Sequence, residues 1–191
     1  MRKLLLLVSL FTGLLTGCSQ ETEIESITRP NPDGKSRVVI TGDGAVSTRS
    51  GDKVEFTGGY ATGAGLYDGD ARAEVKAVAY NGYRLATFEG GPSGESPTLK
   101  GSDAYEFGIK SQDWQFSVEF KKEYLISLIA ETGGTVAGGG TVLDGDNITV
   151  TATPTVGYSF SGWYEGTTKI SSSASYIFTV SSNRTITFSF V

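Results

Sequence analysis

The phrase Asp-Gly-Asp occurs twice, as Asp68-Gly69-Asp70 and Asp144-Gly145-Asp146. No other residues in the chain come as close to the type and spacing a site requires. Clustered carboxylate oxygens suit a calcium ion, which would make Asp68, Asp70, Asp144 and Asp146 its candidate ligands. The other positions of an EF-hand loop are missing, and Asp and Gly are also favoured in a tight turn ahead of a strand. The turn is the expected role, with no metal required. The chain has no histidine, which removes a Ser-His-Asp triad and any histidine-ligated metal. Two opposed carboxylates would suffice for glycoside hydrolysis, but no pair stands out beyond the two turns. "TGGTVAGGG", residues 132–140, lacks the Gly-Lys-Ser/Thr of a phosphate loop. A non-enzymatic protein without a cofactor is the expectation.

Exposed aromatic rings can also bind ligands by stacking on sugars. The candidates are Trp114, Tyr124, Trp163 and Tyr164. Both tryptophans fall in alternating patterns that point them into a core. That leaves Tyr164 and Tyr124 as the possible ligand-stacking residues, with Tyr164 on the face opposite its neighbour Trp163.

The elements that must carry these residues are strands. Ile148, Val150 and Ala152 alternate with threonines; Ile186, Phe188 and Phe190 alternate with Thr185, Thr187 and Ser189. Trp114, Phe116, Val118 and Phe120 alternate with polar residues in the same way. A period of two places one set on a core and the other in water. The chain also repeats itself. "YDGDARAEVKAVAYNGYRLATFEG", residues 67–90, matches "LDGDNITVTATPTVGYSFSGWYEG", residues 143–166. Each is followed by two more alternating runs, at residues 104–120 and 175–190. The openings align less well, "ITGDGAVS" against "AETGGTVAG". Copy 1 carries an extra segment around residues 52–60, read as one added strand. "DARAEVKAVAY" has helix-forming composition, but its partner "NITVTATPTV" is β-branched and contains Pro154. A strand is therefore expected in both. Open strand edges, residues 185–191 among them, would be available to a partner strand.

Arg2 and Lys3 followed by an apolar run to Leu15 form a secretory leader too short to span a bilayer comfortably. It ends in Leu15-Thr16-Gly17-Cys18, which resembles the lipobox of bacterial lipoproteins. The resemblance implies cleavage before Cys18 and a lipid on its thiol. Cys18 is the only cysteine, so no internal disulfide is possible. Residues 18–36, with "RPNPDG", read as a flexible tether. Its Glu21, Glu23 and Glu25 suit either an outward export signal or a solvated linker. The whole chain is acidic, with 16 basic against 21 acidic residues, which argues against nucleic acid as a partner. The expected membrane contact is the acyl chain, and the expected location is the bacterial outer membrane, exposed at the cell surface.

The second copy resembles the divergent branch of the internalin B-repeat family. The resemblance rests on Gly133-Gly134, the "TATP" of residues 151–154, Gly157, Tyr158, Phe160, Gly162, Trp163 and Phe190. Copy 1 keeps Gly82 and Tyr83 but has Leu85 for Phe160 and lacks the Gly-Trp pair. The resemblance implies a small, mostly β module, often in tandem on bacterial surface proteins, with no catalytic residues. Such modules serve as stalks, spacers or adhesive surfaces. The chain is thus expected to be all-β, with two tandem antiparallel modules at residues 37–121 and 125–191 after leader and tether, binding or spacing at a surface protein or glycan. Gly157 is expected to relieve a turn, and Tyr158, Phe160 and Trp163 to fill a thin core. Glycan or calcium binding is the competing expectation.

Overall fold

The structure, a computed structural model, describes residues 34–46, 52–129 and 132–191. The leader, Cys18 and most of the tether lie outside these residues. The first half contains β1 (Ser36–Gly42), β2 (Ala45–Val46), β3 (Val54–Phe56), β4 (Gly59–Thr62) and β5 (Gly65–Tyr67). It continues with β6 (Arg72–Ala79), β7 (Tyr83–Pro92), β8 (Leu99–Lys100) and β9 (Ala104–Gly108) and enters β10 (Trp114–Ile129). The second half has β11 (Gly134–Ala137), β12 (Gly140–Leu143), β13 (Asn147–Pro154), β14 (Phe160–Glu165), β15 (Thr168–Ser171), β16 (Ser175–Thr179) and β17 (Arg184–Phe190). Among the described residues there is no helix. The alanine-rich segment is the strand β6, with Ala73, Val75 and Ala77 buried, just as Val150 and Ala152 are buried on β13.

Each half packs two sheets around its own core. In the first, β4, β6 and β9 face a sheet of β8, β7, β10, β1 and β5. In the second, β11, β13 and β16 face β15, β14, β17, β10 and β12. The cores are separate clusters. Phe116, Trp114, Phe88, Phe107 and Val75 are in the first, and Trp163, Phe188, Ile186, Ile126 and Val150 in the second. Most strand pairs are antiparallel, as expected. Two are parallel and have no local signature in the sequence: β1 with the start of β10 (Val38 opposite Trp114), and the end of β10 with β17 (Ile126 opposite Arg184). In both halves the first strand thus pairs with the last.

The last strand of copy 1 runs directly into the first strand of copy 2, and together they form β10. Lys122, Glu123 and Tyr124, which fall between the expected module bounds, lie inside this strand. At the junction the Glu123 N–H donates to the Gly82 carbonyl at 2.8 Å, and the Lys122 carbonyl accepts from the Asp144 N–H at 2.8 Å. The Arg84 guanidinium reaches the Glu123 carboxylate at 2.5 Å. At about 3.3 Å per residue the strand extends roughly 50 Å, and the two large sheets are one nine-stranded sheet.

Two expectations about the repeat change. Pairing aligns "TGGYATG", residues 57–63, with "TGGTVAG", residues 132–138, in place of "ITGDGAVS". Gly63 and Gly138 both have positive φ, +92° and +98°, and a Cβ on either would meet a carbonyl oxygen of the neighbouring strand at 2.1 Å. The insertion in copy 1 therefore lies before residue 57, and it contributes two strands, β2 and β3. Residues 185–191 do not form an edge strand either: β17 pairs with β10 over residues 184–187 and with β14 over residues 187–190.

Candidate functional site

The Gly-Tyr phrase is a turn built the same way twice. Tyr83 N–H donates to the Tyr80 carbonyl at 3.0 Å, and Tyr158 N–H to the Thr155 carbonyl at 3.1 Å. Gly82 (φ +80°) and Gly157 (φ +93°) occupy the third turn position, where a positive φ excludes most side chains. Tyr158 does not fill the core as expected: it is half-exposed. Its ring lies flat over Gly133, where an added Cβ would stand 2.6 Å from it, and Tyr83 covers Gly58 in the same way. The second glycine of each pair, Gly59 or Gly134, lies under Phe120 or Phe190. The Gly-Gly pairs thus let two rings rest on bare backbone. Gly162 is buried, and a Cβ there would strike the Lys169 side chain at 2.3 Å. Trp163 is fully buried beside Phe160 and Phe188, and its Nε1 donates to the Ser173 carbonyl at 3.0 Å. Phe88 holds the equivalent place in copy 1.

The two Asp-Gly-Asp segments also lie in turns. Ala71 N–H donates to the Asp68 carbonyl, and Asp146 N–H to the Leu143 carbonyl, so the closing bond falls one residue earlier in the second copy. Each turn docks on the loop that crosses between the sheets ahead of its module's last strand. Ser111 N–H donates to the Gly69 carbonyl, and Gly145 N–H to the Val180 carbonyl, both at 2.8 Å. The side chain of Asp68 pairs with Lys35 at 3.4 Å. Among the described residues no three Asp, Glu, His or Cys side chains are grouped so as to hold a metal ion.

The two tyrosines are placed apart. Tyr124 packs at the margin of the second core with Lys122 Nζ 5.3 Å from its ring. Tyr164 sits opposite Thr187 on the outer face, with Lys169 Nζ 6.0 Å from its ring. In register Tyr164 is level with Ile129, five residues from Tyr124 along β10, or about 17 Å. They do not form one platform. Both tryptophans are buried. An open depression of about 370 Å³ beside β7 and β8 is lined by Thr87, Glu89, Lys100, Ser102 and Asp103, with no tyrosine or tryptophan.

One ion pair replaces an aromatic contact between copies. Trp114 packs against Phe107, the rings tilted and their centroids 4.1 Å apart. The matching position in copy 2 is Arg184, whose guanidinium carbon lies 4.3 Å from the centroid of Phe178. Its Nε donates to Glu165 Oε1 at 2.5 Å. That bond holds the Glu165 carboxyl below its ordinary value, against a smaller opposing effect of burial. The pair's contribution is therefore present above the unfolded carboxyl pKa and lost as pH falls through the lowered folded value. Because Glu165 is about a third exposed, Glu165→Gln should cost only ~0.5 kcal/mol near neutral pH. Urea melts of the two proteins should converge at acid pH, once the Glu165 carboxyl is protonated in the folded wild type and the same contribution is lost. A gap independent of pH would show that charge is not involved.

A two-sheet β unit, duplicated in tandem and closed by pairing its first strand to its last, defines the class. A family model for the divergent InlB B-repeat domain matches residues 52–123 and 124–191, and the chain belongs to that family. The matches take in the second copy and most of the less typical first one, leaving out β1 and β2, and their boundary falls within β10. Comparison with curated proteins and with solved structures finds no significant match.

Proposed function

We propose that the chain is a lipid-anchored, non-enzymatic protein of the bacterial outer membrane, displayed at the cell surface as a binding or spacer module. The observation that carries this reading is β10. A strand shared by two cores joins the larger sheets of both repeats into one, which would couple a load on one module to the other. The buried tryptophans and paired tandem cores support a structural and displaying role. Membership of a repeat family supports it too. Acyl chains on Cys18 would hold the base, and the proline-containing segment after it would give reach; a single chain binds marginally and several bind stably. The expected partner is a surface protein or a glycan.

The test is protease shaving and antibody labelling of intact cells expressing wild type or Cys18→Ala. Wild type should incorporate labelled fatty acid, be shaved, and stay with the membrane fraction. Cys18→Ala should lose the label and leave that fraction. Protection of wild type in intact cells would sink the surface reading, and unchanged membrane retention of Cys18→Ala would sink the anchor.

A further inference from the structure

The two copies differ at one sheet edge. On β6, the Ala77 N–H points to β9, donating to the Asp103 carbonyl. Directions alternate along a strand, so Lys76 and Val78 face β4 and exchange bonds with Thr62 and Tyr60. The backbone groups of Gly59 and Ala61 therefore point outward, where Phe56 and Val54 of β3 receive them. The same construction holds in copy 2. The Ala152 N–H points to the β16 side, so Thr151 and Thr153 bond Ala137 and Thr135. Gly134 and Val136 then point their N–H and carbonyl groups outward. Among the described residues no strand pairs with that side of β11.

Among the described residues β9 and β16 are each the last strand of their sheet. Among the described residues, the edge at β11 is unpaired in copy 2, while its counterpart at β4 is paired in copy 1. Natural edges are commonly blunted by lysine, proline or a charge, and Gly134-Thr135-Val136-Ala137 has none. The inserted strand in copy 1 also completes a core. Phe56 is buried and packs on Phe120 at 5.9 Å, and Ala61 is fully buried. In copy 2 Val136, the counterpart of Ala61, is only partly buried; Phe190, the counterpart of Phe120 and partly buried like it, has no counterpart of Phe56 beside it among the described residues.

We infer that the outer edge of β11 is a docking site for an extended partner segment that pairs antiparallel to it as β3 pairs with β4. The occupant's chemistry follows from β3, which is Val54-Glu55-Phe56. A small apolar residue lies opposite Val136, a polar residue follows, and a large apolar or aromatic residue lies opposite Gly134 and covers Phe190. Main-chain bonds supply the pairing and the alternate side chains the selectivity. This deepens the binding half of the proposed function. Its test uses purified protein, so it does not depend on where the chain resides.

The experiment is an NMR titration of the mature chain, residue 18 onward with Cys18→Ser, using a peptide with the sequence Asp52–Gly58, "DKVEFTG". Saturable shifts at the amides of Gly134 and Val136, at millimolar peptide, are expected. N-methylation of the peptide's valine and phenylalanine should weaken binding by ~tenfold or more, since each removes a pairing N–H. N-methylation of its glutamate, which faces away, should change little. Val136→Pro should also abolish binding, because it deletes an outward N–H and leaves the β11–β13 bonds in place. The N-methyl series on the wild-type protein keeps the test decisive if that variant does not fold. Absence of shifts at β11, or equal weakening by all three N-methyl peptides, overturns the inference. So does a dimer of the free chain whose interface is β11, because the occupant would then be a second copy.

Discussion

Trp163→Ala is expected to destabilise the second module by about 3–5 kcal/mol, the usual cost of emptying a large aromatic site in a core. Trp163 is fully buried, contacts Phe160 and Phe188 at 5.6 and 5.8 Å between centroids, and donates through Nε1 to the Ser173 carbonyl. Truncation removes the packing and leaves that carbonyl without its partner. A domain of this size has a total stability of only about 5–15 kcal/mol, so the variant should sit near the edge of folding. The remaining tryptophan is Trp114, buried in the first core. Its fluorescence in a urea titration then reports the first module alone. A Trp114 transition shifted to lower urea would mean that loss of the second module is felt along β10. An unmoved Trp114 transition, with circular dichroism showing an early second-module loss, would mean that the cores melt independently. A variant as stable as wild type by both probes would refute the assignment of Trp163 to the core.

The strands and the recurrence of the modules were legible because both are written locally. Period-two alternation at residues 148–152 and 186–190 needs only the pleat to become a buried face. Gly82 and Gly157 mark turns because few other residues accept their φ. The repeat settled β6 against its own helix propensity: Val75 and Val150 hold the same buried place, and packing outweighs the small preferences of alanine and glutamate. The closure of each module was not legible. Val38 meets Trp114 across a separation of more than seventy residues, and a parallel pair has no connecting turn to announce it. For the same reason residues 185–191 read as an edge strand although β17 has neighbours on both sides. Tyr158 was misplaced because an aromatic after a turn has the composition of a core residue. Its position over Gly133 depends on a glycine 25 residues away whose importance shows only once β11 is paired. Among the candidate site residues, the Asp-Gly-Asp turns were readable as turns. Their docking against residues 111 and 180 was not, since the register of a turn against a distant loop leaves no mark in composition. The edge of β11 became visible only by comparing the two copies strand by strand.

Glu123→Pro should separate the two modules without emptying either core. Glu123 lies in the middle of β10, and its N–H donates to the Gly82 carbonyl at 2.8 Å. Proline deletes that donor, and in the interior of a sheet it has no tolerated position. An unmade bond of this kind costs about 1–3 kcal/mol, before any strain from the ring. The neighbouring bonds within each half, such as Phe116 against Gly90 and Ile126 against Gly140, do not pass through residue 123. The damage should therefore concentrate on the connection. Tryptophan fluorescence can follow each half separately, with Trp163→Phe leaving Trp114 and Trp114→Phe leaving Trp163. In an otherwise wild-type chain the two transitions should coincide. In the proline variant they should split, with the weaker half melting first. The side chain of Glu123 also pairs with Arg84, so Glu123→Gln is the necessary control. It removes the ion pair, leaves the strand bonded, and should change stability by no more than ~1 kcal/mol. Coincident transitions in Glu123→Pro at the wild-type midpoint would show that β10 does not couple the modules. The mechanical part of the proposed function would then lose its basis, while the docking edge on β11, which depends only on the second core, would stand.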